Sequence, residues 1–258
     1  MLRSAKCVVI GLLVTILLSL AALGECDEAA VSRILLPPFP SQETAQVANR
    51  IYTSLEKQSH YLLLQLKPWK GDSNYKLLTE SRSEEHWIRP NTGALQGFCL
   101  LYRFGDYNED RVGISRERLL HEVIRPMFRY LVETHVTGSR VTDDGKPWGD
   151  AWQSAYWTQM LGRSAWWTWD DLTPELRQGV LRVVRHEAGR FVRQEPPAQL
   201  RGDTKAEENA WNAQIFSVAM ALMPKDAEYP VWERAFQRWT LSAFLRPADK
   251  NSPALVDG

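Results

Sequence analysis

The chain has 258 residues, 24% of them charged and 44% hydrophobic, with 31 basic and 31 acidic side chains in balance. Those proportions exclude a disordered chain, and zero net charge with a pI near 7.0 excludes the basic footprint of a general nucleic-acid binder. The length suits one large domain or two small ones, and the 3 cysteines offer neither a disulfide framework nor zinc-ligand spacing.

Arg3 and Lys6 precede a continuous apolar run from Cys7 to Leu23, and Ala22-Leu23-Gly24 puts small residues where a signal peptidase reads. Residues 1–24 therefore read as a secretory signal, which implies a secreted or periplasmic protein. The run is also long enough to remain as an uncleaved single-pass anchor, the one membrane attachment the sequence offers. Without Arg3 and Lys6 the chain has 29 basic against 31 acidic residues. Residues 25–40 end in LLPPFP, an extended proline-rich lead.

From residue 41 the pattern is helical. Ser41 opens a helix over 42–65 carrying Val47, Ile51 and Leu55, and KPWKGDSNYK reads as a loop. A polar stretch ending in HWIRPN leads to a second helix over 92–104. Ser115 caps a third, to about His135, with a kink expected at Pro126. A fourth is expected over 150–164. Thr173-Pro174-Glu175 starts a fifth, to about Val192, with a capping hydroxyl, proline at the first position and an acid in the first turn. Asp203 or Thr204 caps a sixth, whose apolar stripe is Trp211, Ile215, Val218 and Leu222, and the last spans 229–245. No alternating strand is predicted, so the fold class is all-α. Helices with polar, aromatic entrances begin near residues 91, 149 and 205, 58 and 56 residues apart, each followed by a conventional amphipathic helix. That spacing predicts stacked αα-hairpins, in a solenoid or a ring.

The stretch 143–169 holds six of the 11 tryptophans, at 148, 152, 157, 166, 167 and 169, together with Tyr156, Asp150, Gln153, Gln159 and Arg163. Indole rings crowded beside carboxylates and amides suit either a buried helix or a cleft that stacks on the apolar faces of sugars. The segment 202–214, GDTKAEENAWNAQ, supplies Lys205, Glu207, Glu208, Asn209 and Asn212. Its acids either complement the helix dipole or join the amides in contacting sugar hydroxyls or a uronate carboxylate. His86, Arg89 and Asn91 hold the equivalent place before the second helix, and His86 is the best-placed histidine for proton transfer. Arg182, Arg185, Arg190 and Arg193 make the fifth helix basic, as a solvated face or an anion patch.

The phrases HWIRPNTG, KPWGDAWQSAYW and KAEENAWNAQ, on helix pairs with Trp-rich members, resemble the α/α-toroid domain of heparinase II/III-like polysaccharide lyases from about Glu80 onward. The resemblance implies an incomplete (α/α) toroid, about its N-terminal half, binding an acidic polysaccharide or oligosaccharide; no cofactor and no metal-ligand set is read from the sequence, and its neutral charge speaks against a nucleic-acid partner. It implies β-elimination, in which a base takes the proton beside the uronate carboxyl while Asn or Arg neutralises that carboxyl. The candidate catalytic set is Asn209, Asn212, Tyr156 and His86, in a chain expected to be catalytically incomplete. The candidate substrate contacts are Trp148, Asp150, Trp152, Gln153, Arg89, Asn91, Lys205, Glu207 and Glu208. Two alternatives stay open: an α/α-barrel glycoside hydrolase using Asp150 and Glu208, and a non-catalytic helical-repeat binding module.

Overall fold

The computed structural model describes residues 41–197 and 205–244. The expected signal, the proline-rich lead, the Asp203 or Thr204 cap and the final residues from 245 lie outside these. The described part is mostly helical: α1 (Gln42–Gln65), a hairpin of β1 (Lys67–Trp69) and β2 (Asp72–Leu77), then α2 (Glu85–Arg103), α3 (Glu109–Val112), α4 (Arg116–Leu119), α5 (Arg125–Thr134), α6 (Ser154–Trp167), α7 (Pro174–Phe191), α8 (Ala206–Leu222) and α9 (Tyr229–Leu241). No described helix is long and apolar enough to cross a membrane.

Four local departures from the predicted elements have physical causes. The expected loop at 67–77 is an antiparallel hairpin, because Lys70 and Gly71 both take positive φ, 51° and 78°, and make the tight turn such strands need. Its Trp69, Tyr75 and Leu77 enter the core. Helix α2 starts seven residues before the predicted Thr92 and carries Pro90 inside it, losing one backbone bond near an exposed end where water can replace it. In the third predicted helix the irregularity is a π turn at Leu120–Ile124, ending two residues before Pro126, where the chain adjusts to the proline's missing N–H. Helix α6 begins at Ser154 rather than Asp150, because Gly149 and Asp150 both have positive φ, 114° and 53°, which no helix accepts.

The helices pack in two ranks. α2, α6 and α8 lie side by side, with α5 against α7 behind them and α9 against α8. Arg89 meets Tyr156, and Tyr156 meets Trp211, near the three N-terminal ends, while Arg163 reaches Gln214 further down, so α2, α6 and α8 run parallel. The fully buried Trp148, Trp157, Trp232 and Trp239 fill the space between ranks, with Leu95, Phe98, Phe128, Val183 and Phe216. Gly162 lets α6 approach α8: a Cβ there would stand 2.4 Å from Val218 Cγ1. The hairpin closes one side, where Trp69 packs edge-on against Tyr130 of α5 at 5.3 Å.

Candidate functional site

Each of the three parallel helices carries uncovered side chains three and four apart, which share one stripe. On α2 the stripe is His86, Arg89, Gly93, Gln96 and Leu100. On α6 every residue is buried except Tyr156, Arg163, Trp166 and Trp167. On α8 the stripe runs Glu207, Trp211, Gln214 and Ser217. The stripes touch. The Arg89 guanidinium lies over the Tyr156 ring at 5.2 Å, Tyr156 stacks on Trp211 at 5.0 Å and 25°, and Trp211 meets Trp152 edge-on at 6.0 Å. Trp152 is 63% exposed, an unusual state for so large an apolar ring. Deeper along the strip, Arg163 donates to the Gln214 side-chain carbonyl at 3.2 Å.

The loop that presents Trp152 is tied down from below by a polar knot. Glu187 of α7 is fully buried. Its Oε1 accepts from the Asp150 backbone N–H at 3.0 Å and lies 3.4 Å from His135 Nε2. Its Oε2 accepts from the Ser154 hydroxyl at 2.7 Å and from Arg190 at 2.6 Å. Burial alone would raise this carboxyl, but the His135 hydrogen bond, the Arg190 charge and the Asp150 and Ser154 donors hold it down to about 2. Burial lowers the pKa of His135, with Glu187 opposing. The Thr137 N–H donates to His135 Nδ1 at 3.2 Å, so the ring is neutral with its proton on Nε2, directed at Glu187. Asp150 completes the knot, 2.7 Å from His186 Nε2 and 3.3 Å from Arg190 Nε. Asp150, His186 and Glu187 bring possible metal-ligand atoms within 4.8 Å of one another, but the Arg190 guanidinium touches both carboxylates and already supplies the positive charge they need.

The residues singled out from sequence separate into three groups. His86, Arg89, Tyr156, Trp152 and Glu207 stand on the strip. Asp150, Lys205 and Glu208 stand beside it with their charges engaged, Asp150 in the knot and Lys205 with Glu208 at 3.3 Å. The third group is packed away. Trp148 is fully buried and donates to the Leu131 carbonyl at 2.8 Å, which leaves no face for a sugar. Asn91 accepts from the Leu78 N–H at 2.6 Å and donates to Thr79 and the Trp87 carbonyl, pinning the hairpin to α2. Asn209 donates to the carbonyls of Pro197 and Ser242, joining three segments, and its neighbour Asn212 is buried as well. Gln153 is buried beneath the Trp152 loop. Sequence reasoning placed Trp211 in a core stripe and gave no role to Gln96 or Gln214. The available signal was register: each sits three or four residues, or two turns, from a polar entrance residue.

Comparison of the chain with family models, with curated proteins and with solved structures found no match.

Proposed function

We propose that the protein binds an acidic glycan along the strip formed by α2, α6 and α8, in the manner of a polysaccharide lyase, with those helices as the inner members and α5, α7 and α9 as the outer members of a partial (α/α) toroid. The observation that carries this reading is the continuous contact from Arg89 through Tyr156 and Trp211 to Trp152. Sugar rings offer flat C–H faces to aromatic rings and hydroxyls to the amides beside them, and anionic sugars add a charge that a guanidinium receives. The strip supplies all three on parallel helices, so successive rings of one chain meet successive side chains.

Lyase chemistry needs a base for the proton beside the uronate carboxyl. Its electron pair forms the new ring double bond as the glycosidic C–O bond breaks, and the leaving oxygen takes up a proton. Tyr156 and His86 are the strip groups this reading assigns to proton transfer. With Asn209 committed to packing, neutralising the carboxylate falls to arginine. The hydrolase alternative has less behind it, since Asp150 and Glu208 are each engaged by a cation.

Incubation with polygalacturonate, alginate, hyaluronan and heparan-type chains tests the reading. Ultraviolet absorbance from unsaturated ends marks a lyase, and new reducing ends without it mark a hydrolase. Retained binding with neither marks a binding module, and no interaction with any acidic chain overturns the proposal.

A further inference from the structure

Within the strip, one half-buried charge has no counterpart among the described residues. Arg163 is half-buried between α6 and α8, where its one side-chain hydrogen bond goes to the neutral amide of Gln214. Among the described residues no carboxylate pairs with it. The other buried or half-buried charges nearby are answered: Arg190 by Glu187 and Asp150, and Lys205 by Glu208. Withdrawing a guanidinium from water without a counter-charge is costly, and burial lowers its pKa, with Tyr156 the one group opposing. Such a cost is kept where an outside anion meets it.

The surroundings suit that anion. Arg163 lies seven residues beyond Tyr156, about 10 Å of helix rise and about 20° round the axis, so it continues the aromatic stripe of α6. One turn before it, Gln159 is 2% exposed, and its Oε1 has no partner among the described residues. The Gln96 Nε2 on the α2 stripe, seven residues on from Arg89, is unpartnered in the same way. Both atoms are themselves enclosed, so they add polarity beneath the stripe rather than a surface for ligand.

We propose that Arg163 is the specificity-determining receptor of the strip, binding the carboxylate of a uronate residue two-pronged while Tyr156 and Trp211 hold the adjoining ring. This rests on the glycan reading of the strip and adds the residue that selects acidic over neutral chains. A planar guanidinium matches a carboxylate in a way an ammonium does not.

The test titrates the full chain with hexasaccharides of polygalacturonate, alginate and a glucuronate polymer, each beside its carboxyl-reduced neutral counterpart. Wild type is expected to prefer at least one acidic hexamer by about 10- to 100-fold. Arg163→Met abolishes the preference, with neutral binding retained, and Arg163→Lys restores part of it. Melting in ligand-free buffer supplies the second readout: Arg163→Met unfolds at or above the wild-type temperature, because it removes an unpaired charge. If Arg163→Met keeps the acidic preference, the inference fails while the glycan reading stands. A drop of several degrees on Arg163→Met makes the side chain a packing element and also overturns it. If no hexamer binds wild type, both fall.

Discussion

Two patches meet at the loop 149–153 and use the same kinds of residue to opposite ends. Below the loop, Glu187, His135, Asp150, His186, Ser154 and Arg190 satisfy one another through short contacts. Above it, Trp152, Trp211, Tyr156 and Arg89 touch in a row that stays partly exposed, and Arg163 further along has an amide partner but, among the described residues, no carboxylate. Closed polar networks in low dielectric fix a conformation. Open aromatic and cationic rows are recognition surfaces. The lower patch therefore holds the loop so that the upper patch can present Trp152.

Breaking the lower patch should have the largest effect. Glu187→Ala leaves Arg190 without its buried partner and the Asp150 N–H without an acceptor, while the Ser154 hydroxyl falls back on the Ala151 carbonyl. The expected loss is about 3–5 kcal/mol in urea unfolding, and wild-type stability would show the knot to be idle. Gly149→Ala comes next. With φ at 114° and a Cβ 2.6 Å from His135 Nε2, it strains the backbone and displaces the histidine, at about 1–3 kcal/mol.

Acid should separate the two patches without mutation. Glu187 is depressed from 4.5 to about 2, so its contribution is full above 4.5 and is lost as pH falls toward 2. His135 is depressed from 6.5 by burial, so the fold begins to lose stability as pH drops below 6.5 and the unfolded chain takes up the proton more readily. Both act in the same direction. The urea midpoint should decline from about pH 6.5 downward. Glu187→Gln should flatten the part of the curve below 4.5, and an unchanged slope there would remove the carboxylate from the account. The smallest stability effect belongs to the upper patch: Trp152→Ala, at a 63% exposed ring, should stay within about 0.5 kcal/mol of wild type.

Much of the helical layout was legible because its signals are local. Ser41 caps α1 and Thr173 with Pro174 starts α7, as hydroxyl and proline chemistry requires. The polar, aromatic stretches near 149 and 205 do open their helices, while the one near 91 lies inside a helix that starts at Glu85, and Arg89, Tyr156, Trp211 and Trp152 meet in sequence. What stayed hidden depends on tertiary partners. Trp148 and Trp152 look alike four residues apart, yet the Leu131 carbonyl claims one while the other meets only the edge of Trp211 among the described aromatic rings and stays 63% exposed. Asn209 reads as a ligand-binding amide until Pro197 and Ser242 take its donors. Glu187 lay inside a helix read as an amphipathic outer face, and its donors come from residues 33 to 52 positions away. The hairpin escaped because three-residue β1 is too short to show alternation.

The most direct test of the exposed strip is affinity electrophoresis of wild type and Trp152→Ala through gels cast with polygalacturonate or alginate, against gels cast with neutral dextran. The account predicts that a polyuronate gel retards wild type, that dextran does not, and that Trp152→Ala migrates through both almost alike. Equal retardation of wild type and Trp152→Ala, or no retardation of wild type in either polyuronate, would contradict it.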